Sequence, residues 1–166
     1  MKPGHLDPIK VGMAELAVAQ APSQLTTVGL GSCVGVVLYD SIMKIGGLAH
    51  VMLPSIEISK DKSNKAKFAD TAIAELIEKM IGAGAHKVKI RAKIFGGANM
   101  FANVIHSKGL LDMGRRNVES VKVELEKWDI KLDAEETGGT CGRTITLDIE
   151  TGKVHLRTAT NEMREY

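Results

Sequence analysis

Short apolar or alternating segments, each ended by a turn signal, dominate this chain of 166 residues, and they surround only two helical patterns. The strand-like segments are residues 11–19, 24–28, 34–39, 48–53, 88–94, 130–137, 143–149 and 153–157. Turn-forming residues such as Pro22, Pro54 and Gly96–Gly97 separate them. This pattern predicts an α+β fold in which strands pack on strands and helices cover one side.

The two helical patterns lie in the middle of the chain. In the first, apolar residues recur at helical spacing, namely Ala69, Ala72, Ile73, Leu76, Ile77 and Met80. Gly82 and Gly84 predict where this helix ends. The second pattern places Val118, Val121, Leu125 and Trp128 on one stripe, with Asn117 near its start. We predict one domain over residues 1–166, and the sequence leaves open whether the tails at 1–10 and 158–166 pack or fray.

Composition narrows the function classes. The net charge is +2, with acidic and basic residues interspersed, so the sequence predicts no nucleic-acid partner. No apolar run approaches membrane-spanning length, and the first residues lack the pattern of a signal peptide. We therefore expect a cytoplasmic protein without membrane insertion.

Metal ligands and disulfides have no signature in the sequence. The two cysteines, Cys33 and Cys141, lie far apart and do not form a CxxC motif. The five histidines are scattered and include no H-x-x-x-H pair. We predict no metal site and no cofactor.

The segment Thr27–Gly35 contains the main candidate for a catalytic residue, because it places Cys33 in a glycine-flanked turn one strand before His50. Such a turn exposes a thiol and leaves backbone N–H groups near Gly31 and Ser32 to hold an oxyanion. His50 is the candidate base for Cys33, and the pair points to acyl transfer at a carbonyl. A resulting thiolate should react with an alkylating reagent at Cys33 before Cys141.

Each of these residues also has a simpler interpretation. A lone cysteine is often a small apolar core residue, and a histidine between apolar neighbours is usually a core residue as well. Thr27 fits ordinary strand propensity, although its oxygen has the chemistry to orient a histidine base. The glycine spacing superficially resembles a dinucleotide-binding motif, but a β-branched strand follows it where a helix is required.

A second glycine-containing segment follows the predicted strand at 88–94. We expect Phe95, Gly96 and Gly97 to line a surface for the substrate or a partner. A plain turn is the alternative for this segment.

The chain resembles the chemoreceptor glutamine deamidases of the CheD family, which act in bacterial and archaeal chemotaxis. The resemblance covers most of the chain and is carried by Thr27–Gly35, Gly47–His50, Phe68–Asp70, Lys93–Ala98 and Gly139–Arg143. It places the family's catalytic cysteine, histidine and threonine on Cys33, His50 and Thr27.

The resemblance implies a protein-glutamine deamidase that converts glutamine side chains on the cytoplasmic helices of chemoreceptors to glutamate. It implies a layered α/β/β sandwich similar to that of deamidating bacterial toxins. It also implies binding to CheC, a phosphatase of the response regulator. Two other functions stay open, namely a non-catalytic adaptor that binds receptors and CheC, and an amidase for small molecules.

Overall fold

The computed structural model describes residues 6–101 and 113–166, and these residues form two five-stranded sheets and two α-helices. The strands are β1 (Ile9–Lys10), β2 (Leu16–Gln20), β3 (Gln24–Leu30), β4 (Val34–Asp40), β5 (Ile45–Val51), β6 (Ile90–Gly96), β7 (Lys131–Thr137), β8 (Arg143–Asp148), β9 (Val154–Thr158) and β10 (Met163–Glu165). The helices are α1 (Ala69–Gly82) and α2 (Met113–Lys127). Single-turn 3₁₀ helices cover Ile56–Ile58, Lys65–Lys67 and Lys87–Lys89.

The central sheet has the strand order β2-β5-β4-β6-β7, and the outer sheet has the order β1-β3-β8-β9-β10. Neighbouring strands are antiparallel in the central sheet except β6 and β7, which are parallel and are joined through α2. Parallel neighbours need such a crossover connection, because a hairpin turn reverses the chain direction.

The central sheet is covered on both faces. One face packs under the helices, and the core there contains Val36, Leu38, Ala49, Leu76 and Val121. The other face packs on the outer sheet through a second core that contains Val37, Leu48, Phe95, Leu25 and Ile145. The side chains on both faces of β4 and β5 are therefore buried, which explains the nearly continuous apolar runs in these strands. The predicted α+β fold with a layered α/β/β sandwich is confirmed.

The predicted strand at 11–19 is wrong in one respect, because the chain turns in the middle of it. The Gly12 N–H donates to the Glu15 carboxylate at 2.8 Å, and Ala14 adopts a left-handed conformation with φ of 58°. The segments before and after this turn enter different sheets. Val11 hydrogen-bonds to Thr26 of the outer sheet, whereas β2 pairs with β5 in the central sheet.

The strand predicted at 88–94 begins two residues later than expected. Val88 lies in a 3₁₀ turn with 87% of its surface exposed, and β6 starts at Ile90. The other predicted strands and both helices are found at positions close to those expected. The last residues pack as strand β10 against β9, and Tyr166 contacts the ring of Phe95. Residues 1–5 of the predicted N-terminal tail lie outside the described residues.

In the described part of the chain, neither helix combines the length and the apolar character that crossing a membrane requires.

Candidate active site

The register of β4 and β5 determines where Cys33 and His50 lie relative to each other. His50 is directly opposite Gly35, and Cys33 precedes Gly35 by two residues. Residues paired across neighbouring strands project to the same face, so His50 shares the face of Gly35, and Cys33 lies in the bend that leads into β4. Cys33 belongs to the core between the two sheets, and His50 contacts Thr27 of the outer sheet. The structure therefore places all three predicted residues in the layer between the sheets.

His50 is oriented through a short chain of hydrogen bonds. The Thr27 hydroxyl lies 2.6 Å from the Val11 carbonyl oxygen and 2.7 Å from His50 Nδ1. Because a carbonyl oxygen only accepts, the hydroxyl donates to Val11, and its oxygen is then left to accept from His50 Nδ1–H. This assignment leaves the lone pair of the neutral imidazole on Nε2. His50 Nε2 is buried and has no hydrogen-bond partner among the described residues.

Burial acts on both members of the Cys33–His50 pair in the direction of the neutral form. It raises the pKa of the Cys33 thiol, although a hydrogen bond from the residue's own backbone partly offsets this effect. It lowers the pKa of His50. Near neutral pH the resting pair is therefore a thiol and a neutral imidazole. These directions oppose the resting thiolate on which the expected preference for alkylation at Cys33 depends. Cys33 is also buried, whereas Cys141 is partly exposed.

The turn that carries Cys33 is held from the side of β6. The Gly97 N–H donates to the Cys33 carbonyl at 2.8 Å, and the Ala98 N–H donates to the Gly31 carbonyl at the same distance. The segment after β6 thus fixes the backbone on both sides of Ser32.

Helix α2 holds the same turn with a side chain. Asn117 is fully buried, and its Nδ2 donates to the Ser32 carbonyl at 3.0 Å and to the Met52 carbonyl at 2.9 Å. Ser32 precedes the cysteine, and Met52 follows His50 by two residues. One amide therefore connects the backbone near Cys33 to the backbone near His50.

The N–H groups of Ser32 and Cys33 face no hydrogen-bond acceptor on any other described residue. The carbonyl groups of the same turn, by contrast, all accept the hydrogen bonds described above. These two adjacent N–H groups, of which the Cys33 N–H bonds only to its own thiol, have the composition of an oxyanion hole.

Phe95, Gly96 and Gly97 are buried and support the site from below the surface, and their expected role in binding a substrate or partner stays a prediction. The Phe95 ring lies in the core between the sheets and contacts the Tyr166 ring at a centroid distance of 5.3 Å. Gly97 alone of the three also lines a cleft of about 390 Å³ beside α2.

Gly96 permits the close approach of β6 to the cysteine turn. Its φ is +107°, and an added Cβ would lie 2.3 Å from the Cys33 carbonyl oxygen. We expect Gly96→Ala to lower the stability of the protein by several kcal/mol, because both the backbone conformation and the contact with Cys33 disfavour a side chain. Thermal unfolding monitored by circular dichroism measures the effect.

Gly82→Ala is the matched control for this substitution. No atom lies within 4 Å of the Cβ position at Gly82, which is the last residue of α1. This variant should be as stable as the original protein or slightly more stable. Equal stability of Gly96→Ala and Gly82→Ala would show that the turn tolerates a side chain at Gly96.

Two supporting residues were not predicted as part of the site. From the sequence, Asn117 was expected only to lie near the start of the second helix. The one sign of a further role is that it is a polar residue on the apolar stripe of that helix. Arg143 is 5% exposed and forms an ion pair with Glu136 at 2.5 Å. Its Nη2 also donates to the Gly138 carbonyl at 2.8 Å, which ties down the glycine-rich turn before β8.

The described residues contain no cluster of three or more histidine, cysteine or carboxylate side chains arranged to hold a metal ion.

Comparison with known proteins agrees with the family resemblance seen in the sequence. A family model described as CheD chemotactic sensory transduction matches residues 52–158. The chain belongs to the CheD family. Relatives from Moorella thermoacetica and Clostridium novyi are 50% and 51% identical to it, and the alignments cover 90% and 92% of this chain and 90% and 93% of the relatives. A relative from Pyrococcus abyssi is 46% identical, with 90% of each chain covered.

All three CheD relatives bear the name probable chemoreceptor glutamine deamidase CheD. The family model begins after His50, but the alignments with the relatives extend over about 150 residues. A span of that length within this chain necessarily includes Thr27, Cys33 and His50. Among solved structures, the Bacillus licheniformis hypothetical protein YfiH is 15% identical, with a TM-score of 0.47, and the match covers 75% of this chain and 51% of that one.

Proposed function

We propose that this protein is a protein-glutamine deamidase that acts on chemoreceptors in the cytoplasm, with Cys33 as nucleophile, His50 as base and Thr27 as the residue that orients His50. The observation that carries the proposal is the hydrogen-bonded chain from Val11 through Thr27 to His50, which leaves Nε2 unpartnered in the same layer as Cys33. The names of the CheD relatives supply the substrate class.

The reaction starts from the neutral pair. As the substrate carboxamide reaches the site, His50 Nε2 takes the proton of the Cys33 thiol, and Sγ attacks the carboxamide carbon. The N–H groups of Ser32 and Cys33 donate to the oxygen of the tetrahedral intermediate. The imidazolium returns its proton to the departing nitrogen, so that ammonia leaves and a thioester remains.

Hydrolysis of the thioester reverses these roles. His50 takes a proton from water, the hydroxide attacks the thioester carbon, and the sulfur leaves as a thiol when it regains the proton. The products are glutamate and the original enzyme. The new carboxylate adds a negative charge to the receptor helix, and this charge is the signal-altering outcome of the reaction.

The position of Cys33 favours a long amide side chain. Only 8% of the cysteine surface is exposed. The two methylene groups of glutamine can carry the carboxamide below the protein surface, whereas the shorter asparagine holds it nearer to the substrate backbone. Val28, which precedes the turn in the chain, is 65% exposed, and Met100, which lies beside Gly31, is 50% exposed. Both offer apolar contacts for a receptor helix.

We propose that CheC binds over this same surface, as the family resemblance implies, and that it competes with receptors for access to Cys33.

Mass spectrometry of receptor peptides tests the proposal. Purified receptor cytoplasmic fragments are incubated with the protein, and glutamine-containing peptides are monitored for conversion of the amide to the acid. Site-specific conversion that disappears with Cys33→Ala supports the enzyme. Binding without conversion supports the adaptor, and conversion of free glutamine at a comparable rate supports the small-molecule amidase.

The contribution of Thr27 is tested with two variants. Thr27→Val removes the hydroxyl between the Val11 carbonyl and His50, and we expect it to lower kcat by roughly 10- to 100-fold because the histidine loses its orientation. Thr27→Ser keeps the hydroxyl on a less restrained side chain, so part of the activity should remain. If Thr27→Val turns over the receptor as fast as the original protein, the hydroxyl has no part in catalysis.

A further inference from the structure

We infer that Asn117 is a positioning residue for the oxyanion hole, acting through the peptide group between Ser32 and Cys33. The inference rests on the proposed role of Cys33 as a nucleophile and assigns a function to a residue on a different element of the fold, helix α2. It concerns the direction in which one backbone N–H points.

The geometry of the peptide group connects Asn117 to the oxyanion. The Ser32 carbonyl and the Cys33 N–H belong to the same planar, trans peptide, so they point in opposite directions. Asn117 Nδ2 holds that carbonyl at 3.0 Å from the α2 side. The Cys33 N–H is thereby turned away from α2, and it has no acceptor on another described residue.

The neighbouring peptide is held in an equivalent way by the backbone. The Gly31 carbonyl accepts from the Ala98 N–H at 2.8 Å, and this peptide carries the Ser32 N–H. Both candidate oxyanion donors thus have a fixed partner on the opposite side of their peptide. A donor fixed in advance needs no reorganisation when charge develops on the substrate oxygen.

The chemistry of an amide suits this position. The Nδ2 group of an asparagine carries two N–H donors, and Asn117 uses them on the carbonyls of Ser32 and Met52. The hydrogen bond to the Ser32 carbonyl also polarises the peptide, which strengthens the Cys33 N–H as a donor. A residue that served packing alone would gain nothing from a polar group in a fully buried position.

Two reagents that react with Cys33 through different transition states test the inference. Acylation by p-nitrophenyl acetate builds an oxyanion, whereas alkylation by iodoacetamide does not. In a Cys141→Ala background, which leaves Cys33 as the reacting thiol, we expect Asn117→Ala to lower the acylation rate by roughly tenfold or more. The alkylation rate should change less than twofold.

Ser120→Ala is the control for loss of a helix α2 tether. Ser120 Oγ donates to the Pro54 carbonyl at 2.6 Å from the same helix, but this bond does not reach the cysteine turn. The control should lose stability without a selective loss of acylation. If Asn117→Ala fails to fold, Asn117→Ser, which keeps a shorter polar side chain, is measured in the same way.

The outcomes separate the inference from the proposed function. An equal fall in both rates, or no change in either, overturns the positioning role of Asn117. A selective fall in acylation supports that role even if the protein converts no receptor glutamine, in which case the proposed function is what fails.

Discussion

Cys33→Ala is expected to reduce receptor deamidation to the uncatalysed background while the protein stays folded. The proposed reaction requires a sulfur that forms and then releases a thioester, and no other described cysteine lies in the layer between the sheets. The substitution removes one small buried group, at a cost of about 1 kcal/mol in stability. Mass spectrometry of receptor peptides measures the activity, and circular dichroism measures the fold.

Cys141→Ala is the matched control for this prediction. Cys141 is partly exposed in the glycine-rich turn before β8, and its substitution removes a thiol of the same kind. This variant should deamidate receptors at the original rate. If activity survives in Cys33→Ala and disappears in Cys141→Ala, the nucleophile is Cys141 and its assignment to Cys33 is wrong.

Local sequence patterns were sufficient to predict most of the fold. The apolar face at Ala69–Met80 is a short-range property of one helix, and the structure has α1 at Ala69–Gly82. The glycine-bounded apolar run at 34–39 likewise corresponds to β4. The split of residues 11–19 was not predictable in this way, because the hydrogen bond from Val11 to Thr26 in the outer sheet is a long-range contact.

The candidate site was predictable where side-chain chemistry marks it. Cys33, His50 and Thr27 stood out as residue types suited to one reaction. The hydrogen-bond partner of Thr27 could not be predicted in this way. It is the backbone carbonyl of Val11, and any residue at that position supplies the same atom. Asn117 is 85 residues from Ser32 in sequence, so its role required the packing of α2 on the central sheet to be known.

The neutral resting pair is a further property that residue types alone did not predict. From residue types alone, a cysteine with a nearby histidine is expected to form a thiolate. Burial between two sheets opposes the charged forms of both groups. In the proposed mechanism, the proton therefore moves from Cys33 to His50 when the substrate is bound and not in the resting protein.

His50→Gln is expected to lower kcat by roughly 10²- to 10⁴-fold, because the transfer of a proton from Cys33 and to the leaving ammonia then lacks a positioned base. In the original protein the rate should fall in acid as His50 becomes protonated. The midpoint should lie below the ordinary histidine range, since burial lowers the pKa of His50. Rates measured across pH on one receptor fragment give both quantities. His155→Gln, which removes a half-exposed histidine in the outer sheet, should keep the original rate and pH profile.

The same lowered pKa predicts how the stability of the protein depends on pH. An unfolded chain binds a proton at His50 near pH 6.5, whereas the folded protein binds it only at a lower pH. Above about pH 6.5 the histidine is neutral in both states, and it contributes no pH dependence. As the pH falls from there towards the lowered pKa, the unfolded state gains a proton and the free energy of unfolding decreases. His50→Gln removes this contribution, so its stability should decline less steeply over that interval in chemical denaturation experiments. Identical slopes for His50→Gln and the original protein would mean that His50 titrates normally in the folded state, and the neutral resting pair would then have to be abandoned.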